Sequence, residues 1–211
     1  MDFTLTIYKT LLTSLQSAGY VFYTFEKYLS FKDIADKFFI LRHDVDTKAY
    51  NAFRIAKIEK ELGIKASYYF RVVPQSNQPE IIREIAAMGH EIGYHYEDLS
   101  LCKGNVLDAI QHFEKQLVYF RTYYPVKTIC MHGSPASKID NRDIWKHMQY
   151  KDYGIIGEPY FNVDYKKVFY ITDTGRAWDG DKFNVRDKVD SDYDVRFHST
   201  KDIIKAIENH K

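Results

Sequence analysis

Apolar and polar positions along the chain follow two alternating patterns. Ala52, Ile55, Ala56, Ile58 and Leu62 fall close to helical spacing, and Gly63 follows where a left-handed C-terminal cap would sit. A second helix is predicted from Asn77 and Pro79 through Ile81, Ile82, Ile85 and Ala86 to a stop at Gly89. A third places Val106, Ile110, Phe113, Leu117 and Phe120 on one continuous apolar face. A weaker fourth starts around Asp140, and Thr200 to His210 reads as an amphipathic helix with Ile203, Ile204 and Ile207 on one side. Between them lie short runs too apolar for half-exposed strands: Lys37 to Arg42, Ala66 to Phe70, Glu91 to Tyr94, Thr128 to Met131, Tyr153 to Ile156 and Val168 to Thr172. Such runs, separated by helices, predict an α/β fold with parallel strands buried on both faces. No linker, repeat or low-complexity stretch interrupts the pattern, so 1–211 reads as a single domain with residues 1–36 as an N-terminal helical cap.

Parallel strands point their C-terminal ends to one side, where the chemistry of α/β folds gathers. Here those ends deliver His43, Asp44 and Asp46, then Arg71, then His95, Glu97 and Asp98, then His132, then Glu158, and finally Asp173 with Arg176 beyond it. The segments 38–46 and 89–98 are the densest, each an apolar run that ends in carboxylates and imidazoles, as a metal site requires. An Asp-x-Asp pair also suits a turn or a helix cap, and a histidine at a strand end also serves as a plain hydrogen-bonding group.

Composition narrows the classes. At 211 residues, 45% hydrophobic and 28% charged, the chain can fill one sizeable core. Thirty basic against twenty-nine acidic residues give a net charge of +1, which makes no electrostatic case for nucleic acid or an anionic membrane. The N-terminus has Asp2 where a signal peptide wants bases, and no apolar stretch approaches the ~18 residues of a membrane span. Cys102 and Cys130 form neither a zinc-type pair nor a disulfide framework, so they read as structural thiols and the expected location is cytoplasmic. Eighteen tyrosines and fourteen phenylalanines can stack on sugar rings or fill a sheet core, and Tyr68, Tyr69 and Phe70, inside an apolar run, favour the core.

The strand ending in Asp44-Val45-Asp46, the Ala66 to Phe70 strand after a Gly-capped helix, and Gly89-His90-Glu91-Ile92-Gly93-Tyr94-His95 resemble the first half of the polysaccharide deacetylase superfamily. The likeness covers residues 37–95 and extends over the rest only in layout. It implies a distorted, here incomplete, (β/α) barrel of about six to seven parallel strands. It also implies a metal-dependent hydrolase that removes N- or O-acetyl groups from an amino sugar or polysaccharide. The cofactor so implied is one divalent metal ion, zinc ahead of manganese or magnesium, and the partner is an acetylated saccharide.

Carried over by residue, the resemblance makes Asp44 the general base, Asp46 a metal ligand and His95 the first metal histidine. The family's second histidine falls four residues later, where this chain has Leu99. His90 cannot replace it, because at about 3.3 Å per residue it lies roughly 16 Å from His95 along a strand. Glu97 is the preferred third ligand, with Asp98 and His132 as alternatives. His132 stands in Met131-His132-Gly133-Ser134-Pro135, where the family carries Arg-x-Pro, and can orient a carboxylate, bind metal or act as the catalytic acid. Arg71 is expected in the substrate mouth. Asp173, Arg176 and Trp178 resemble the later segment that lines the sugar site. The last barrel strand, which in the family carries the leaving-group histidine, is expected to be missing after residue 211, as in a truncated chain, an incomplete reading frame or a degenerate enzyme. With Leu99, this supports an alternative, a catalytically silent glycan-binding or scaffold homologue. A metal-dependent phosphoesterase is a further possibility, disfavoured by the acidic mouth.

Overall fold

In the computed structural model, residues 2–133, 137–178, 189–193 and 195–209 are described. In chain order the elements are α1 (Leu5–Ser17), β1 (Val21–Tyr23), α2 (Phe25–Ser30), β2 (Phe38–Ile40), β3 (Arg42–Val45), α3 (Ala49–Glu61), β4 (Ser67–Phe70), α4 (Pro79–Ala87), β5 (Glu91–Tyr96), α5 (Asp98–Leu101), α6 (Val106–Phe120), β6 (Ile129–Met131), α7 (Pro159–Asn162) and α8 (Thr200–Asn209). The chain divides into two units. One comprises residues 1–21, 35–38 and 163–211, the other 22–34 and 39–162.

In the first unit α1 packs on α8. Leu11, Leu12 and Leu15 of α1 and Ile203 and Ile207 of α8 are buried. Thr4 caps α1 by accepting from the Ile7 N–H, and Asp2 accepts from the backbone N–H of Thr200 where α8 begins. The Trp178 indole lies 5.3 Å from the Phe3 ring and donates to the Thr200 hydroxyl.

The second unit is built on a curled, half-barrel parallel sheet in the order β3-β4-β5-β6. Its register explains the two faces. Arg42, Ser67 and Glu91 are paired in one row and Asp44, Tyr69 and Gly93 in the next, with His95 beside Cys130 above them. Side chains alternate along a strand, so these residues share one polar face. Val45, Tyr68, Phe70, Ile92, Tyr94, Tyr96, Ile129 and Met131 occupy the opposite face, in the core with Ile82 and Ile85 of α4 and Phe113, Leu117 and Phe120 of α6. Each fully buried tyrosine hydroxyl finds a partner: Tyr68 on Glu59, Tyr69 on Thr128, Tyr94 on Asp98 and Tyr96 on Trp145.

The polar face is held at its base by Glu91. One carboxylate oxygen accepts from the Ser67 hydroxyl and the Glu26 N–H, and the other from Thr128, so the sheet fixes the start of α2. Burial raises the pKa of this carboxylic acid, and those hydrogen bonds offset only part of the rise.

The expected six to seven strands reduce to four in the parallel sheet. The run from Lys37 to Arg42 divides between β2, which pairs with β1 in a separate two-stranded sheet, and β3, with Leu41 between them. Tyr153 closes a 3₁₀ turn, Gly154 takes φ 69°, and the chain then meets β6 through a single bridge between Thr128 and Gly157. Residues 168–172 are in neither helix nor strand. The region around Asp140 is a 3₁₀ turn, Asn141–Lys146, rather than an α-helix. His210 and the Ser134-Pro135 pair lie outside the described residues.

Candidate metal centre

The C-terminal ends of β3, β5 and β6 converge. Asp46 follows β3, His95 lies on β5 and His132 comes directly after β6, all in the second unit. His132 Nδ1 is 2.9 Å from Asp46 Oδ1, His95 Nε2 is 3.4 Å from the same oxygen, and the two ring nitrogens are 3.3 Å apart. An ion bound at about 2.05 Å to each of three tetrahedral donors would hold them about 3.3 Å apart. These donors already stand at that separation, so the group can hold a metal ion.

The two imidazoles are each oriented by their own support. His95 Nδ1 sits 2.9 Å from the Cys130 carbonyl, which fixes the proton on that nitrogen and turns Nε2 toward Asp46. The His132 N–H donates to the Tyr96 carbonyl, extending the β5–β6 ladder by one residue, while its carbonyl accepts from Asn141 Nδ2. Asn141 is itself buried and accepts from the Ser100 N–H, tying the 3₁₀ turn to α5 and to His132 together. Burial disfavours the ionised form of Asp46, but hydrogen bonds and charge from His132 and His95 outweigh it and hold the acid well below the usual carboxylate range. Burial likewise opposes a charge on His95, yet Asp44 and Asp46 together raise its pKa.

Of the donors expected beside Asp46 and His95, the structure brings His132 within 3.3 Å of both. Glu97 is taken up by Arg71, whose Nε and Nη2 donate to its two oxygens at 2.7 and 2.8 Å. Its Oε2 stands 3.8 Å from His132 Nε2, beyond hydrogen-bond range. The third Arg71 nitrogen reaches the Asp46 carbonyl at 3.4 Å, so Arg71 braces the ligand loop from beneath. Leu99 is buried in the core, and Asp98 accepts from Tyr94 and lies 2.5 Å from His112, away from the ligands. His90 accepts from the Ala66 N–H and faces the Ala56 carbonyl, an uncharged link between β4, β5 and α3. Burial lowers its pKa, in keeping with that neutral form. His43 points to the opposite sheet face, against Glu59.

Asp44 flanks the ligand group. Its Oδ2 is 3.1 Å from Arg42 Nη2 and 3.9 Å from the Cys130 thiol, while its Oδ1 is buried and has no hydrogen-bond partner among the described residues. Leaving a buried carboxylate oxygen unpaired costs about 1–3 kcal/mol, a cost that functional sites commonly bear. Cys130, expected as a structural thiol, thus lies in the site, and Asp44, His95 and Cys130 form a second group able to hold a metal ion. Asn141 and Arg42 carried no sequence signal for this centre beyond their nearness to it in the chain. Glu158 is fully buried, accepting from the Met131 and Tyr160 N–H groups. Asp173, Arg176 and Trp178 belong to the first unit, where Asp173 and Arg176 bracket a 3₁₀ turn.

No helix among the described residues is long and apolar enough to cross a membrane. Compared with protein-family models, with curated proteins and with solved structures, the chain matches none.

Proposed function

We propose that the chain is a metal-dependent hydrolase that removes acetyl groups from an amino sugar or polysaccharide. The observation that carries this reading is the juxtaposition of an Asp-His-His donor set at metal-ligand separations with a second carboxylate, Asp44, one buried oxygen of which has no hydrogen-bond partner among the described residues. Asp46, His95 Nε2 and His132 Nδ1 would hold the ion, zinc being the best match to a two-imidazole, one-carboxylate set. A bound divalent ion supplies Lewis acidity and a water of lowered pKa.

The remaining work falls to the chain's own groups. Asp44 takes the proton from the attacking water on Oδ1, while Arg42 keeps Oδ2 engaged. Arg71 holds Glu97 and the Asp46 backbone so that the ligand loop keeps its geometry. The alternative of a silent glycan-binding homologue rests on Leu99 and on the missing last strand, and a histidine just after β6 beside Asp46 and His95 answers the first of these grounds.

Elemental analysis of protein purified without chelator should find about one zinc per chain, and N-acetylated saccharides should release acetate. Asp44→Asn should keep the metal and lose turnover by about 10²–10⁴-fold, the range for a general base. Metal well below one per chain together with no acetate released would end the proposal.

A further inference from the structure

We propose that Asp44, His95 and Cys130 form a second cation seat, selective for a thiophilic divalent ion, that overlaps the Asp46–His95–His132 seat and cannot be filled together with it. One donor atom from each of the three residues lies within 4.8 Å of the others. The Cys130 sulfur is 3.9 Å from Asp44 Oδ2, and a tetrahedral ion with a bond of about 2.3 Å to sulfur and about 2.1 Å to oxygen would set them about 3.6 Å apart. Closing the difference takes a few tenths of an ångström.

The exclusivity follows from His95. Its Nδ1 is committed to the Cys130 carbonyl, so Nε2 is its single donor to either seat. Cys130 therefore orients the shared imidazole through its backbone and competes for the same ion through its side chain. The two seats differ in softness, since one offers carboxylate and two imidazoles and the other replaces an imidazole with sulfur. A thiophilic ion such as Cd²⁺, or Zn²⁺ once in excess, gains most from the sulfur. On binding, the Cys130 thiol gives its proton to the buffer and the thiolate forms the metal–sulfur bond. The buried Oδ1 of Asp44, without a hydrogen-bond partner among the described residues, is a second, independent sign that this carboxylate has donor capacity left over beside its contact with Arg42. Insofar as the deacetylase reading holds, an ion here would occupy the base and silence the enzyme, but the seat itself does not depend on that reading.

The test is Cd²⁺ titration of the full chain, following the ultraviolet thiolate-to-cadmium charge-transfer absorption, with no activity measured. Saturable absorption is expected in the wild type and in Cys102→Ser. It should persist in His132→Ala, which leaves the sulfur seat intact, and disappear in both Cys130→Ser and Cys130→Ala, each checked for fold by circular dichroism. Absence of the band in the wild type, its survival without Cys130, or its loss in folded His132→Ala would each overturn the proposal.

Discussion

Glu158 has no solvent contact and accepts two backbone N–H bonds, yet burial pushes its acid up to about 7, against the partial relief of those bonds and of Arg42 and Arg142. The folded-state value lies above the unfolded one, so its contribution to stability is complete below the unfolded value of about 4.5 and is lost as pH rises through about 7. The loss amounts to about 3 kcal/mol across that window. Urea unfolding of Glu158→Gln should show a flatter stability profile between those limits, with a constant offset from the acceptor oxygen it gives up. An unchanged profile would mean that Glu158 does not govern it. Asn141 acts at the same scale by a different route. It fixes the His132 carbonyl and the α5 backbone, so Asn141→Ala should weaken zinc affinity by about 10–100-fold, as loss of an outer-shell partner does, with little change in helical content. Isothermal titration with zinc would read it. Asp44, Asp46 and His95 were legible in sequence because each follows or ends an apolar run. His132 was visible only as one of several strand-end candidates, since nothing local distinguishes a ligand from a hydrogen-bonding histidine. Cys130 was hidden by its own apolar neighbours, which mark the strand and say nothing of the face.

At the scale of elements, Gly93 shows how closely β4 and β5 are matched. A Cβ there would lie 2.3 Å from the Tyr69 ring and 3.0 Å from the Thr128 carbonyl, so the ring spans the polar face only because position 93 has no side chain. Gly93→Ala should cost about 1–3 kcal/mol from overpacking, and a Tyr69→Leu background should recover part of it, a coupling measurable by a double-mutant cycle. Independent, additive losses would contradict the contact. In α6, Phe113→Ala should cost about 3–5 kcal/mol, because its fully buried ring packs edge-on against Tyr96, Trp145 and Tyr153. Both elements were readable in advance. The helical spacing from Val106 to Phe120 and the Gly stops at 63 and 89 reappear as α6 and as glycines at φ 71° and 91°. Apolar runs overstated the sheet, because residues 153–156 and 168–172 are as apolar as a strand without gaining a ladder. Hydrophobicity reports burial, and pairing depends on a neighbour that the local sequence does not specify.

For the whole molecule, the division into units would make an ion bound at the candidate centre a local source of stability with a built-in control. Every proposed ligand lies in the unit formed by 22–34 and 39–162, as does Trp145, whereas the chain's other tryptophan, Trp178, lies in the unit formed by 1–21, 35–38 and 163–211. Zinc that binds the folded form alone stabilises it by about 2.7 kcal/mol at a hundredfold excess over Kd. For a chain of this size that corresponds to about 5–10 °C in unfolding midpoint. In Trp178→Phe, where Trp145 is the sole reporter, thermal unfolding followed by fluorescence should move upward by that amount on adding zinc and return on chelation. Asp46→Asn in the same background should abolish the shift, because it removes the negative charge that both imidazoles face. A Trp145 transition indifferent to zinc would show that the three donors, however well spaced, do not bind an ion tightly enough to shape this protein's stability.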